Sequence, residues 1–81
     1  MSITANSIKV IIKNSEIGKK INIEDLDDTK NLYDQGLDSL DLMTILLIIE
    51  EEFNVHIPDE DIEGLKTLND IANYVNNKLS K

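Results

Sequence analysis

The chain predicts an all-α fold, a four-helix bundle of three longer helices and one short helix with a long first loop. Three observations carry this prediction. Apolar residues recur at helical spacing in three separate stretches. Asp38 and Thr67 stand directly before two of those stretches, where helix caps belong. No segment shows the strict apolar–polar alternation of a half-buried strand.

The first helix is expected over about residues 3–14, from the spacing of Ile3, Ile8, Ile11 and Ile12. Gly18 breaks that pattern. Residues 15–38 then form a long connection with scattered apolar anchors: Ile17, Ile21, Ile23, Leu26, Leu32 and Tyr33. Loops of this length are uncommon in small domains and are usually functional. The anchors place this one across the core.

Asp38 fits an N-cap for a second helix from about Ser39 to Phe53, with Asp41 three residues on as a capping-box analogue. Ile45, Leu46, Ile49 and Phe53 share a core-facing stripe. Leu40, Met43 and Leu47 fall on a neighbouring stripe. With Leu42 and Ile48 they make the helix apolar almost all round, so part of this set must meet solvent or a partner. Glu50, Glu51 and Glu52 lie at the end of the helix where its dipole disfavours acids, which suggests another use for them.

Pro58 ends a short break from Asn54 and biases Ile57 toward extended geometry. A short helix of about two turns is expected from Asp59 to Leu65, ending near Gly64. Thr67, with Asp70 at the third helical position, caps the last helix. Leu68, Ile71, Ala72, Val75 and Leu79 form its apolar face.

Composition sets the class. The 81 residues are read as a single domain over 1–81, with 41% hydrophobic content pointing to a folded core. There is no cysteine, so disulfides and thiolate metal sites are excluded. No signal peptide is evident. The longest apolar run, Ile45 to Ile49, is far short of the about 20 residues that span a bilayer. These features predict a cytoplasmic monomer without membrane insertion.

The net charge is −8. Between Asp34 and Asp70 the only base is Lys66. Such a field repels nucleic acid and attracts basic surfaces. It reads as a docking face for basic partners, or as an ordinary solvated acidic surface.

The chemistry concentrates in Gly36-Leu37-Asp38-Ser39-Leu40-Asp41. One serine stands at the mouth of a helix, after a glycine turn and between two carboxylates. A phosphate ester on that hydroxyl would meet free backbone N–H groups and the positive end of the helix dipole. Ser39 makes a poor nucleophile for hydrolysis, because no base accompanies it. The sole histidine, His56, lies beyond the other end of the second helix, roughly 20 Å away by helical rise. Two other readings stand beside the handle. Asp59, Asp61 and Glu63 with Gly64 approach a calcium loop, which fails at its last position, where Asp70 replaces the bidentate Glu. Alternatively, the second helix binds a partner in an acidic interaction module with no prosthetic group.

The stretch Leu32-Tyr33-Asp34-Gln35-Gly36-Leu37-Asp38-Ser39-Leu40 resembles the attachment motif of acyl carrier proteins. Glu50-Glu51-Glu52-Phe53, Ile57-Pro58-Asp59-Glu60 and Thr67-Leu68-Asn69-Asp70-Ile71-Ala72-Asn73-Tyr74-Val75 resemble later parts of that family, in order. The resemblance is to the discrete, type II carriers.

It implies that Ser39 bears a covalent 4′-phosphopantetheine taken from coenzyme A, with Asp38 and Gly36 shaping the site. Leu40, Asp41, Met43, Leu47, Glu50, Glu51 and Glu52 would dock partners. Ile45, Leu46, Ile49, Ile57, Ile62, Leu65 and Ile71 would line a shelter for an acyl chain. The implied partners are a holo-acyl carrier protein synthase, an acyl-loading ligase or transferase, and ketosynthase-type enzymes with basic docking surfaces. The implied role is non-enzymatic: acyl groups held as thioesters for fatty acid synthesis or a related specialised lipid or polyketide pathway. A site metal is not expected on the carrier itself.

Overall fold

A computed structural model describes residues 3–80. Helix α1 spans Ala5–Lys13, α2 Ser39–Phe53, α3 Asp59–Ile62 and α4 Leu68–Leu79. Among the described residues there is no strand. Three of the four helices begin at a side-chain cap. Thr4, Asp38 and Thr67 each accept the backbone N–H three residues on, and Ser7, Asp41 and Asp70 return the bond, giving three reciprocal capping boxes. α3 has Pro58 at its start and no side-chain cap. It is a single turn, shorter than the two turns expected, and Glu63 and Gly64 continue as a turn that ends at Leu65. An uncapped four-residue segment has too few internal bonds to propagate further.

The three longer helices supply most of the core. Ile8 and Ile12 of α1, Leu42, Ile45, Leu46 and Ile49 of α2, and Leu68, Ile71 and Val75 of α4 are all fully enclosed. α1 packs on α4 and on α2. Truncating one of these isoleucines or leucines to alanine would cost about 2–5 kcal/mol. Asn76 of α4 ties the chain before α1 to this core. Its Oδ1 accepts the Ile3 N–H at 2.7 Å and its Nδ2 donates to the Ile3 carbonyl at 2.7 Å.

The long connection is a packed strap. It contains three short 3₁₀ turns, Glu16–Lys19, Ile23–Asp25 and Leu32–Gln35. Ser15, Asn22 and Asn31 cap them with their own side chains. Ile17, Leu26, Leu32 and Leu37 anchor it in the core, and Ile21 and Ile23 pack on the core's edge. Tyr33 does not anchor it; the turn that buries Leu32 leaves Tyr33 exposed. Backbone bonds from Leu32 N–H to Lys66 O (2.7 Å) and from Asn69 N–H to Asp28 O (3.1 Å) lash the strap to the start of α4. Gly18 lets it return tightly past α1. A Cβ there would lie 2.8 Å from the Ile12 carbonyl oxygen and closer still to that of Lys13.

Candidate functional site

The strap delivers the chain to Ser39 through a left-handed turn. Gly36 has φ of 95°, a conformation that L side chains rarely adopt. Leu37 then plugs into the core and Asp38 takes extended backbone as the N-cap of α2. Gln35 fixes the approach. Its Oε1 accepts the Asp27 N–H at 2.6 Å, and its Nε2 donates to the carbonyls of Asp27 (3.2 Å) and Lys30 (3.1 Å). One side-chain amide thus closes the loop just ahead of the glycine turn.

Ser39 is the first residue of α2 and is exposed. Its hydroxyl takes no part in the capping box, whose bonds belong to Asp38 and Asp41. Asp38 Oδ1 accepts the Asp41 N–H at 2.8 Å, and Asp41 Oδ2 accepts the Asp38 N–H at 3.3 Å. The serine is therefore free to be modified without uncapping the helix. A phosphodiester fits here: the position is open and sits at a helix N-terminus.

The residues expected to dock partners divide sharply. Leu40, Met43 and Leu47 are 76, 38 and 55% exposed. At spacings of three and four they form one apolar stripe leading from Ser39, and exposed Glu51 extends it by a further turn. Glu52 is exposed as well.

Asp41 departs from the expectation. It is the one charged residue buried among those described, and Lys20 Nζ donates to both its oxygens at 3.0 and 2.8 Å. The lysine holds the Asp41 carboxyl below the ordinary carboxylate range, against the burial that pushes it up. Glu50 departs too. Its Oε2 accepts the Ile57 N–H at 2.9 Å and lies 3.3 Å from His56 Nδ1, so it braces the return after α2. Both acids are thus engaged by bonds within the fold.

The residues expected to shelter an acyl chain also divide. Ile45, Leu46, Ile49, Ile57, Leu65 and Ile71 are buried in one continuous core. Ile62 is half-buried and borders an open concavity of about 440 Å³ with Tyr33, Glu63 and Lys66.

Two further readings can be placed. Among the described residues, no three His, Asp or Glu side chains converge to hold a metal ion. Of the acids of the calcium-like segment, Asp59 and Asp61 stand in the single turn of α3 and Glu63 is its C-cap, and Asp61 Oδ2 accepts the Tyr74 hydroxyl at 2.6 Å. Burial, and then this bond, raise the Tyr74 phenol to about 12. No helix among those described is long and apolar enough to cross a membrane.

The model of the phosphopantetheine attachment site family matches residues 16–75, from the start of the strap to the middle of α4. The chain belongs to that family. Phosphopantetheine is accordingly its prosthetic group. Similar proteins include the acyl carrier protein of Bdellovibrio bacteriovorus, 51% identical over 45 residues, which are 56% of this chain and 58% of that protein. The acyl carrier protein of Thermosynechococcus vestitus is 47% identical over 47 residues, 58% of each chain. That of Clostridium perfringens is 44% identical over 48 residues, 59% of this chain and 63% of the relative. The matched region thus spans about three-fifths of these relatives' lengths.

Proposed function

We propose that this protein is an acyl carrier whose prosthetic group is attached to Ser39. The observation that carries the reading is an exposed serine at the capped mouth of α2, inside the span matched by the attachment-site family. In the loading step the Ser39 oxygen forms a bond to the phosphorus of coenzyme A that bears the pantetheine. The pyrophosphate bond breaks, 3′,5′-ADP leaves, and the hydroxyl proton passes to the transferring enzyme. That enzyme would be a holo-synthase.

Once attached, the group supplies a terminal thiol that holds an acyl chain as a thioester. The chain's own residues do the rest. The capping box keeps the first turn of α2 intact around the modified serine. The backbone N–H groups of that turn and the helix dipole favour the phosphodiester anion. Leu40, Met43 and Leu47 offer an apolar strip to a docking enzyme, and Glu51 and Glu52 draw basic surfaces to its far end. Those enzymes would be an acyl-loading ligase or transferase and a ketosynthase-type partner, in fatty acid synthesis or a related specialised pathway. The carrier itself catalyses nothing. His56, the sole histidine, sits against Glu50 at the opposite end of α2.

Intact-mass measurement after incubation with coenzyme A and a broad-specificity holo-synthase tests this. The wild-type protein should gain the mass of one phosphopantetheine, and Ser39→Ala should gain none. A wild-type protein that stays unmodified, or a Ser39→Ala variant that is modified, overturns the reading.

A further inference from the structure

Negative charge crowds the first turn of α2. Asp38 caps it and Asp41 stands in it, and the proposed attachment adds a phosphodiester anion at Ser39 between them. From Asp34 to Asp70 the chain offers only Lys66 as a base. The cation that reaches this turn comes instead from the strap, 21 residues upstream of Asp41. Lys20 Nζ donates to Asp41 Oδ1 and Oδ2, and that same Oδ2 accepts the Asp38 N–H at 3.3 Å. A single shared oxygen therefore separates the ammonium from the backbone amide of the residue before Ser39. Half of the Lys20 side chain, 52%, is exposed, against 9% for Asp41. Of its three donors at most two are engaged with Asp41. Asp41 and, more weakly, Asp38 both favour its charged form.

We propose that Lys20 is a positioning residue of the attachment site: its ammonium holds Asp41 in the capping box and balances the anion attached at Ser39. The inference rests on the carrier reading and goes beyond it, because it places a strap residue in the electrostatics of the attachment point. A lysine that merely braces Asp41 acts equally before and after attachment. A lysine that balances the new anion matters more afterwards.

The test is a four-way comparison of folding stability: wild type and Lys20→Met, each with and without the attached group, by urea denaturation. Lys20→Met should weaken the folding equilibrium of the modified protein roughly two- to fivefold more than that of the unmodified protein, the range of a solvent-screened ion pair. The excess should shrink in high salt, and Lys20→Arg should abolish it. Equal losses in both forms overturn the proposal. Should Lys20→Met fail to fold, the ¹⁵Nζ resonance of Lys20 in the wild-type protein decides. It moves on modification if the ammonium senses the anion, and an unmoved resonance overturns the proposal. Failure of wild-type protein to accept the group at all is a different result, and it removes the carrier reading instead.

Discussion

Asp38 is placed to do two jobs, and substitution can separate them. Its side chain caps α2, and its charge lies beside Ser39, the proposed attachment residue. Asp38→Ala removes the acceptor for the Asp41 N–H, a bond of 2.8 Å. The reciprocal bond, from the Asp38 N–H to Asp41 Oδ2, uses backbone on the Asp38 side and survives the change. One capping bond is lost rather than two, which costs about 1 kcal/mol. For a domain of this size that lowers the melting temperature by about 4–8 °C. Asp38→Asn keeps an acceptor oxygen in the same place. It gives up an attraction to the helix dipole of about 0.3–1 kcal/mol, offset by relief of repulsion from Asp41, so it should melt within a few degrees of wild type. Far-UV circular dichroism on heating reads both. Equal melting of the Ala and Asn variants would show that the Asp38 side-chain bond contributes nothing to the stability of α2. If the Asn variant melts normally yet is modified more slowly by a holo-synthase, the charge serves the enzyme and the cap serves the fold.

Two glycines should differ in kind. Gly36→Ala meets no atom within 4 Å and suffers only from its left-handed backbone, about 1–2 kcal/mol, whereas Gly18→Ala drives a Cβ into the carbonyls of Ile12 and Lys13 and should cost more. Urea midpoints of the two variants give the order directly. Tyr74, its phenol raised to about 12 in the fold, adds stability that is complete below pH 10 and lost as pH rises through 12. A Tyr33→Phe background lets absorbance follow Tyr74 alone, and Asp61→Asn should lower its titration midpoint. Leu47→Asp, at a site 55% exposed, should change stability by no more than about 0.5 kcal/mol. It should still raise the KM of a holo-synthase for the carrier, read from initial rates of modification.

What the sequence made legible was local. Thr67 with Asp70, and Asp38 with Asp41, sit three residues apart, so their caps are written in spacing alone. The apolar period separates Ile45, Leu46 and Ile49 from Leu40, Met43 and Leu47 for the same reason. Partners distant in the chain were not legible. Nothing in the spacing links Lys20 to Asp41, so the acid looked free when it is paired and buried. Glu50 looked like one of three equivalent acids, but it caps a return whose path depends on the left-handed Asn54. The strap's 3₁₀ turns have no period to betray them. Asx and Ser side chains two residues ahead of each capped N–H were the available signal, together with Leu37 as the anchor before the cap. Gln35 carries no such signal, because its bonds reach back five and eight residues.

This division of the acids bears on how a docking surface is built. A helix that ends in three consecutive acids invites the view that its charges all face outward. Here Asp38 and Asp41 are bound to each other at its start, and Glu50 is bound to the return at its end. Beyond Asp38, what remains open along the Ser39 side is the apolar stripe Leu40, Met43 and Leu47, with Glu51 and Glu52 confined to the last turns. Long-range attraction by those two acids would orient an approaching basic surface at the far end of α2, while contact nearest the serine would depend on burying Leu40, Met43 and Leu47. Charge and contact would then be separable in kinetics. Glu51→Gln with Glu52→Gln should reduce the association rate of a docking enzyme and flatten its salt dependence, and Leu40→Ala should mainly speed dissociation. Stopped-flow binding to a holo-synthase distinguishes them. If the double Gln variant leaves the association rate and its salt dependence unchanged, steering comes from elsewhere on the surface, and the acids at the end of α2 have no part in docking.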